Sequence, residues 1–175
     1  MKLNKTFIVA EIGNNHEGSY LNAKKMIILA KKAGVDAVKF QTFLVEDFIN
    51  PTLKKSFNRL KKFQLSIKEF KNLKVIAKKL KIKFLSTPLD ARSLKNISSS
   101  LDIIKIASSD NNFYHLIELA IKTKKEVIIS LGLCACQIRS PQVSFVELHR
   151  FDSPQRTYVQ FGINQFHLPQ MRLHF

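Results

Sequence analysis

Two hydrophobic patterns alternate along the first 132 residues. Short apolar runs rich in β-branched and aromatic residues predict strands over 6–12, 36–41, 82–86, 102–107 and 126–130. The stretches between them carry apolar residues at helical spacing. Ala23, Met26, Ile27, Ala30 and Ala33 predict a helix over 20–33, with Gly34 as its C-terminal cap. Ser66-Ile-Lys-Glu69 is a capping box. It opens a helix with Ile67, Phe70, Leu73, Ile76, Ala77 and Leu80 on one face. Asp90 can cap a helix carrying Leu94 and Ile97, and Asn111 or Asn112 one running through Ile121. Residues 42–58 read as a long polar loop, either closing over a site or simply crossing the surface. The β-α alternation calls for a parallel sheet with right-handed crossovers.

Polar residues interrupt the strands in a regular way. Side chains alternate faces along a strand. Val9 and Glu11 therefore lie opposite Ile8, Ala10 and Ile12; Ala37, Lys39 and Gln41 opposite Val38 and Phe40; Lys105 and Ala107 opposite Ile104 and Ile106. The large apolar set can pack on helices while the polar set faces inward near the C-terminal strand ends. This is how a (β/α)8 barrel builds its site. Charges inside strands are costly unless something requires them. No GxGxxG or P-loop supports a nucleotide-binding sheet instead.

Composition divides the chain. Every lysine lies before residue 133, whereas four of the six arginines and six of the eight glutamines lie after it. Residues 133–175 show no clear period beyond short apolar pairs, so they read as an irregular tail. The abrupt end of lysine usage favours a shifted reading frame or a foreign fusion over an ordinary loop-rich C-terminus. The net charge of +16 raises nucleic acid as a partner. The lysines, however, fall on polar helix faces, and arginine is scarce before residue 133, so no nucleic-acid role is expected. No apolar run approaches a membrane span and the start lacks a signal-peptide pattern. The expectation is a cytoplasmic protein without membrane contact. Cys134 and Cys136 are too close for a CxxC redox or zinc pair.

Four segments carry a resemblance. Ala10-Glu-Ile-Gly-Asn-Asn-His-Glu-Gly18, Ala33-Gly-Val-Asp-Ala-Val-Lys-Phe-Gln-Thr42, Phe84-Leu-Ser-Thr-Pro-Leu-Asp90 and Ile104-Lys-Ile-Ala-Ser-Ser-Asp110 resemble the sialic acid (N-acetylneuraminate) synthase family, in order, over roughly residues 5–133. The resemblance implies an α/β fold: part of a TIM barrel, about five β/α units over 1–132, followed by the tail 133–175. It implies an enzyme that condenses phosphoenolpyruvate with an N-acetylated hexose, such as N-acetylmannosamine, to a nonulosonic acid. On that likeness Lys39 and Lys105 hold phosphoenolpyruvate, with hydroxyls from Thr87, Ser108 and Ser130. Glu11 and Gln41 face the sugar, and Glu11 helps move protons. Glu11 and Lys39 are the catalytic candidates. His16 is either catalytic or a loop hydrogen-bonding group.

The family also implies a homodimer and a divalent metal, manganese or magnesium, on two histidines of later strands. No segment here matches those histidines. His149, His167 and His174 lie in the tail without the surrounding motif, and Leu131 replaces a usual threonine. Metal binding by this chain is therefore doubtful, and it is expected to be inactive alone. Two alternatives remain: a non-catalytic anion-binding fragment, and another phosphoenolpyruvate-dependent aldol synthase on the same barrel.

Overall fold

The structure is a computed structural model that describes residues 6–130, 143–146 and 158–162. Strands β1 (Phe7–Gly13), β2 (Ala37–Thr42), β3 (Lys83–Pro88), β4 (Ile103–Ile106) and β5 (Glu126–Ser130) pair in parallel, each with the next. Helices α1 (Tyr20–Lys32), α4 (Ile67–Lys79), α5 (Ala91–Ile97) and α6 (Tyr114–Lys122) form the crossovers. The five strands and these helices make the half-barrel that the alternation called for.

The two faces of the sheet carry different residues, as strand parity required. The larger core lies between sheet and helices. Ile12, Val38, Phe40, Phe84, Ile104 and Ile129 meet Met26, Ile27, Phe70, Leu73, Leu94 and Leu116 there. Phe40 sits at its centre, with ring centroids 5.2 Å from Phe84 and 6.0 Å from Phe70, the latter edge-on. The inner face holds a small cluster of Val9, Ala37, Leu85, Ile103 and Ile128. Glu11, Lys39, Gln41, Thr87 and Lys105 share its parity and sit nearer the C-terminal strand ends.

Most expected helix starts are present. Ser66 and Glu69 complete the capping box at α4. Asp90 caps α5, accepting from Ser93 N at 2.6 Å. Gly34 follows α1 with φ +80°. Two expectations need correction. The residue before α6 is Phe113, with no side-chain cap, because Asn111 instead ends a 3-10 turn over Ser108–Asp110. Residues 42–58 are not a plain loop. They hold α2 (Val45–Phe48) and the start of α3 (Lys54–Phe63). Phe57, Leu60 and Phe63 give α3 a half-buried stripe at helical spacing, which its lysine content obscured.

The tail also differs from the irregular segment expected. It supplies β6 (Val143–Val146), parallel to β5, and β7 (Tyr158–Gly162), parallel to β1. The sheet order is β6-β5-β4-β3-β2-β1-β7. Val143-Ser-Phe-Val146 and Tyr158-Val-Gln-Phe161 are short enough that their alternation is weak as a sequence signal. Cys134, Cys136, His149, His167, His174 and Leu131 lie outside the described residues. Among the described residues no helix is long and apolar enough to cross a membrane.

Candidate active site

The polar inner-face residues open into a cleft of about 440 Å³ at the C-terminal strand ends. Glu11, Lys39, Gln41, Thr87, Lys105 and Ser108 line it together. Ser130 is buried on the same face of β5 but is not among the lining residues. The register explains the convergence: Glu11 is level with Lys39, and Gln41 with Thr87.

Two aspartates fix the strands that carry the lysines. Asp36 accepts from Ile8 N at 2.9 Å, and Asp102 from Phe84 N at 2.8 Å. Each stands at the N-terminal end of its strand, clamps the preceding strand, and lies three residues before a cleft lysine. The sequence contains this device twice, as Asp36-Ala-Val-Lys39 and Asp102-Ile-Ile-Lys105.

The centre of the cleft is an ion pair. Lys39 Nζ lies 2.8 Å from Glu11 Oε1, and Lys39 is only 4% exposed. Burial holds the Lys39 ammonium below its usual range, although Glu11 opposes that effect. Lys105 is pushed down to about 8, first by burial and then by the Lys39 charge, against the pull of Glu11. The cleft thus has two ammonium groups for one carboxylate. Thr87 Oγ1 is buried and has no hydrogen-bond partner in the structure. An unsatisfied hydroxyl beside excess positive charge is suited to an anion's oxygen.

The turn after β1 completes the rim. A register shift between Glu11 and Gly13 lets the chain leave the sheet. Gly13 has φ +55°, and a Cβ there would stand 3.4 Å from Glu11 Oε1. Asn14 Nδ2 donates to Gln41 Oε1 at 2.6 Å. Asn14 and Asn15 both line the cleft, as do Ile12, Gly13 and Ala107. Neither asparagine is among the site residues expected from the sequence, although both lie in the Ala10–Gly18 motif.

His16 does not line the cleft. It is 1% exposed, and its ring lies 5.9 Å from that of Phe40 on the helix side of the sheet. Its Nδ1 accepts from Gly18 N at 3.1 Å, so the neutral ring carries its proton on Nε2. Burial lowers its pKa to about 4, with Glu69 pulling the other way. Of its two expected roles, the geometry assigns the loop hydrogen bond.

The described residues do not form a metal site. No group of three His, Cys, Asp or Glu side chains is placed to hold an ion. The Glu11 carboxylate faces an ammonium, and His16 points away. No step is therefore assigned to a metal here.

The NeuB family matches residues 26–153, across the point where lysine usage stops. That span contains both cleft lysines, Gln41, Thr87, Ser108 and Ser130. The chain belongs to the NeuB family. Among its relatives, the N,N'-diacetyllegionaminic acid synthase of Campylobacter jejuni is 38% identical over 146 residues, covering 75% of this chain and 43% of that protein. The N-acetylneuraminate-9-phosphate synthase of Drosophila melanogaster is 33% identical over 148 residues, covering 77% and 40%. The crystal structure of the N-acetylneuraminic acid synthetase of Leptospira borgpetersenii, in complex with citrate, superposes with a TM-score of 0.71. It shares 35% identity and covers 75% of this chain and 46% of that one. The chain therefore spans less than half the length of these NeuB relatives. The resemblance read from the four motifs and the half-barrel fold are both sustained.

Proposed function

We propose that this chain is the phosphoenolpyruvate-binding part of a nonulosonic acid synthase barrel. One observation carries the reading: Lys39 and Lys105 converge on a cleft whose resting carboxylate, Glu11, balances only one of them. A ligand carrying both a phosphate and a carboxylate supplies the missing negative charge. Thr87 and Ser108 provide hydroxyls beside the two ammonium groups. Gln41 and Glu11 line the same cleft and would face the amino sugar.

In the complete reaction C3 of phosphoenolpyruvate forms a bond to the aldehyde carbon of the open-chain sugar. Water adds its oxygen to C2, and the C2–O bond to phosphate breaks. The lysines hold the anion and balance the charge that develops at C2 and on the leaving phosphate. Glu11 accepts a proton from the attacking water or passes one to the sugar oxygen. Family membership supports this assignment and, with it, the expected homodimer and cytoplasmic location; the divalent metal expected of the family is not assigned to any residue of this chain.

Isothermal titration of the 175-residue chain with phosphoenolpyruvate tests the reading. Wild type binds, and Lys39→Met and Lys105→Met each weaken binding tenfold or more. Glu11→Gln leaves binding intact or tightens it. Equal affinity of wild type and both lysine variants would overturn the proposal, as would no binding at all. N-acetylmannosamine condensation by the chain alone is expected to be undetectable.

A further inference from the structure

Asn14 and Gln41 come from different parts of the chain, the turn after β1 and the end of β2, and both line the cleft. Their side-chain amides meet at 2.6 Å, with Asn14 Nδ2 donating to Gln41 Oε1. The contact has a direct chemical consequence. A primary amide offers one oxygen acceptor and one NH2 donor. With Oε1 turned toward Asn14, the end of Gln41 with both of its hydrogen bonds left for a ligand is its NH2. Asn14 is itself fixed. Asn15 N and Glu17 N close the turn onto Ile12 O and Asn14 O at 3.0 and 2.9 Å. Asn14 Oδ1 is buried without a hydrogen-bond partner, so the contact with Gln41 is the one hydrogen bond shown for the Asn14 side-chain amide.

We propose that Asn14 is a positioning residue that locks the Gln41 amide, so that the cleft presents an N–H donor to an acceptor oxygen of the sugar. The inference rests on the reading of the cleft as a nonulosonic acid synthase site, and it names the polarity of one sugar contact there. It also gives a rule for altering that contact. An aspartate at position 14 has no proton to donate at neutral pH but accepts one. The Gln41 amide would then turn over, give its NH2 to the carboxylate, and present Oε1 to the ligand. The contact would then select a donor group, such as a hydroxyl proton, in place of an acceptor.

The test is nitrogen-15 NMR of the full 175-residue chain, with the Gln41 side-chain NH2 pair identified by its loss in Gln41→Leu. Wild type is expected to show an ordered pair with restricted 15N relaxation. In Asn14→Ala the pair should relax like that of a solvent-exposed glutamine, while phosphoenolpyruvate affinity stays within about twofold. In Asn14→Asp it should regain order and move downfield, as an N–H bonded to a carboxylate does. An unchanged Gln41 pair in Asn14→Ala overturns the proposal. So does loss of phosphoenolpyruvate binding in that variant, which would place Asn14 in the anion-binding half or in the fold. If Asn14→Ala fails to fold, Asn14→Asp decides: an unshifted Gln41 pair overturns the proposal and a downfield pair upholds it. Failure of wild type to bind phosphoenolpyruvate would remove the functional reading, while the Gln41 response still decides the lock.

Discussion

Within the proposed anion site, Lys105 is the residue whose charge state changes nearest neutral pH. Its ammonium is held at about 8 by burial and by the neighbouring Lys39 charge. The anion prefers the protonated form, so phosphoenolpyruvate affinity should fall as pH rises through 8. Titration calorimetry from pH 6.5 to 9.5 checks this, and Lys105→Arg should flatten the profile because arginine keeps its charge. His16 gives the opposite kind of dependence. Its folded pKa of about 4 lies below the ordinary 6.5, so its contribution to stability is complete above 6.5. That contribution is lost as pH falls toward 4, by a total of about 3 kcal/mol. Urea unfolding at pH 7.5 and 4.5 should show the loss in wild type and a smaller one in His16→Leu. Both lysines were legible in the sequence because a charge inside an apolar strand is conspicuous. Asn14 was not, because an asparagine beside a glycine is ordinary turn chemistry until Gln41 is seen next to it. Asp36 and Asp102 carried a readable signal, the repeated Asp-x-x-Lys, but their role concerns the neighbouring strand, which no single segment reveals.

At the scale of elements, the segment least expected from sequence is tied to the turn that carries Asn14. A Cβ on Gly18 would stand 1.9 Å from Lys62 O, near the end of α3. Gly18 also has φ +77°. Arg92 holds Asp47 of α2 through two hydrogen bonds of 2.7 and 3.0 Å, and Lys61 pairs with Glu46. Gly18→Ala should therefore displace α3 or the turn and cost on the order of 2 kcal/mol or more. Gly34→Ala is the matched control, with φ +80° but nothing within 4 Å of its Cβ, and should cost about 1 kcal/mol. Equal losses for the two in thermal unfolding would show that the close approach at Lys62 is unimportant. The strands and the four crossover helices were legible because periodicity and caps agreed. The α2–α3 segment was not, because α3 contains no buried residue and its stability depends on contacts distant in sequence.

For the whole molecule, the tail matters through the backbone of two strands. β6 covers the outer edge of β5, and β7 that of β1. A chain ending at residue 132 would expose both edges. It should associate on size-exclusion chromatography, or unfold with a lower urea m-value than the full chain. A monomeric truncation with unchanged m would show that β6 and β7 contribute little. The half-barrel was predictable because each β-α unit buries its own apolar stripe. The pairing of β7 with β1 was not, since it joins segments near opposite ends of the chain. Phe7 is level with Tyr158 in the backbone register of that seam. During synthesis β1 emerges well before β7, so one of its edges is completed only after β7 is made. At ribosomal rates that interval is on the order of ten seconds. The strand bearing Glu11 must remain half-paired throughout it, making the nascent chain most vulnerable to wrong partners at the strand that later forms the cleft.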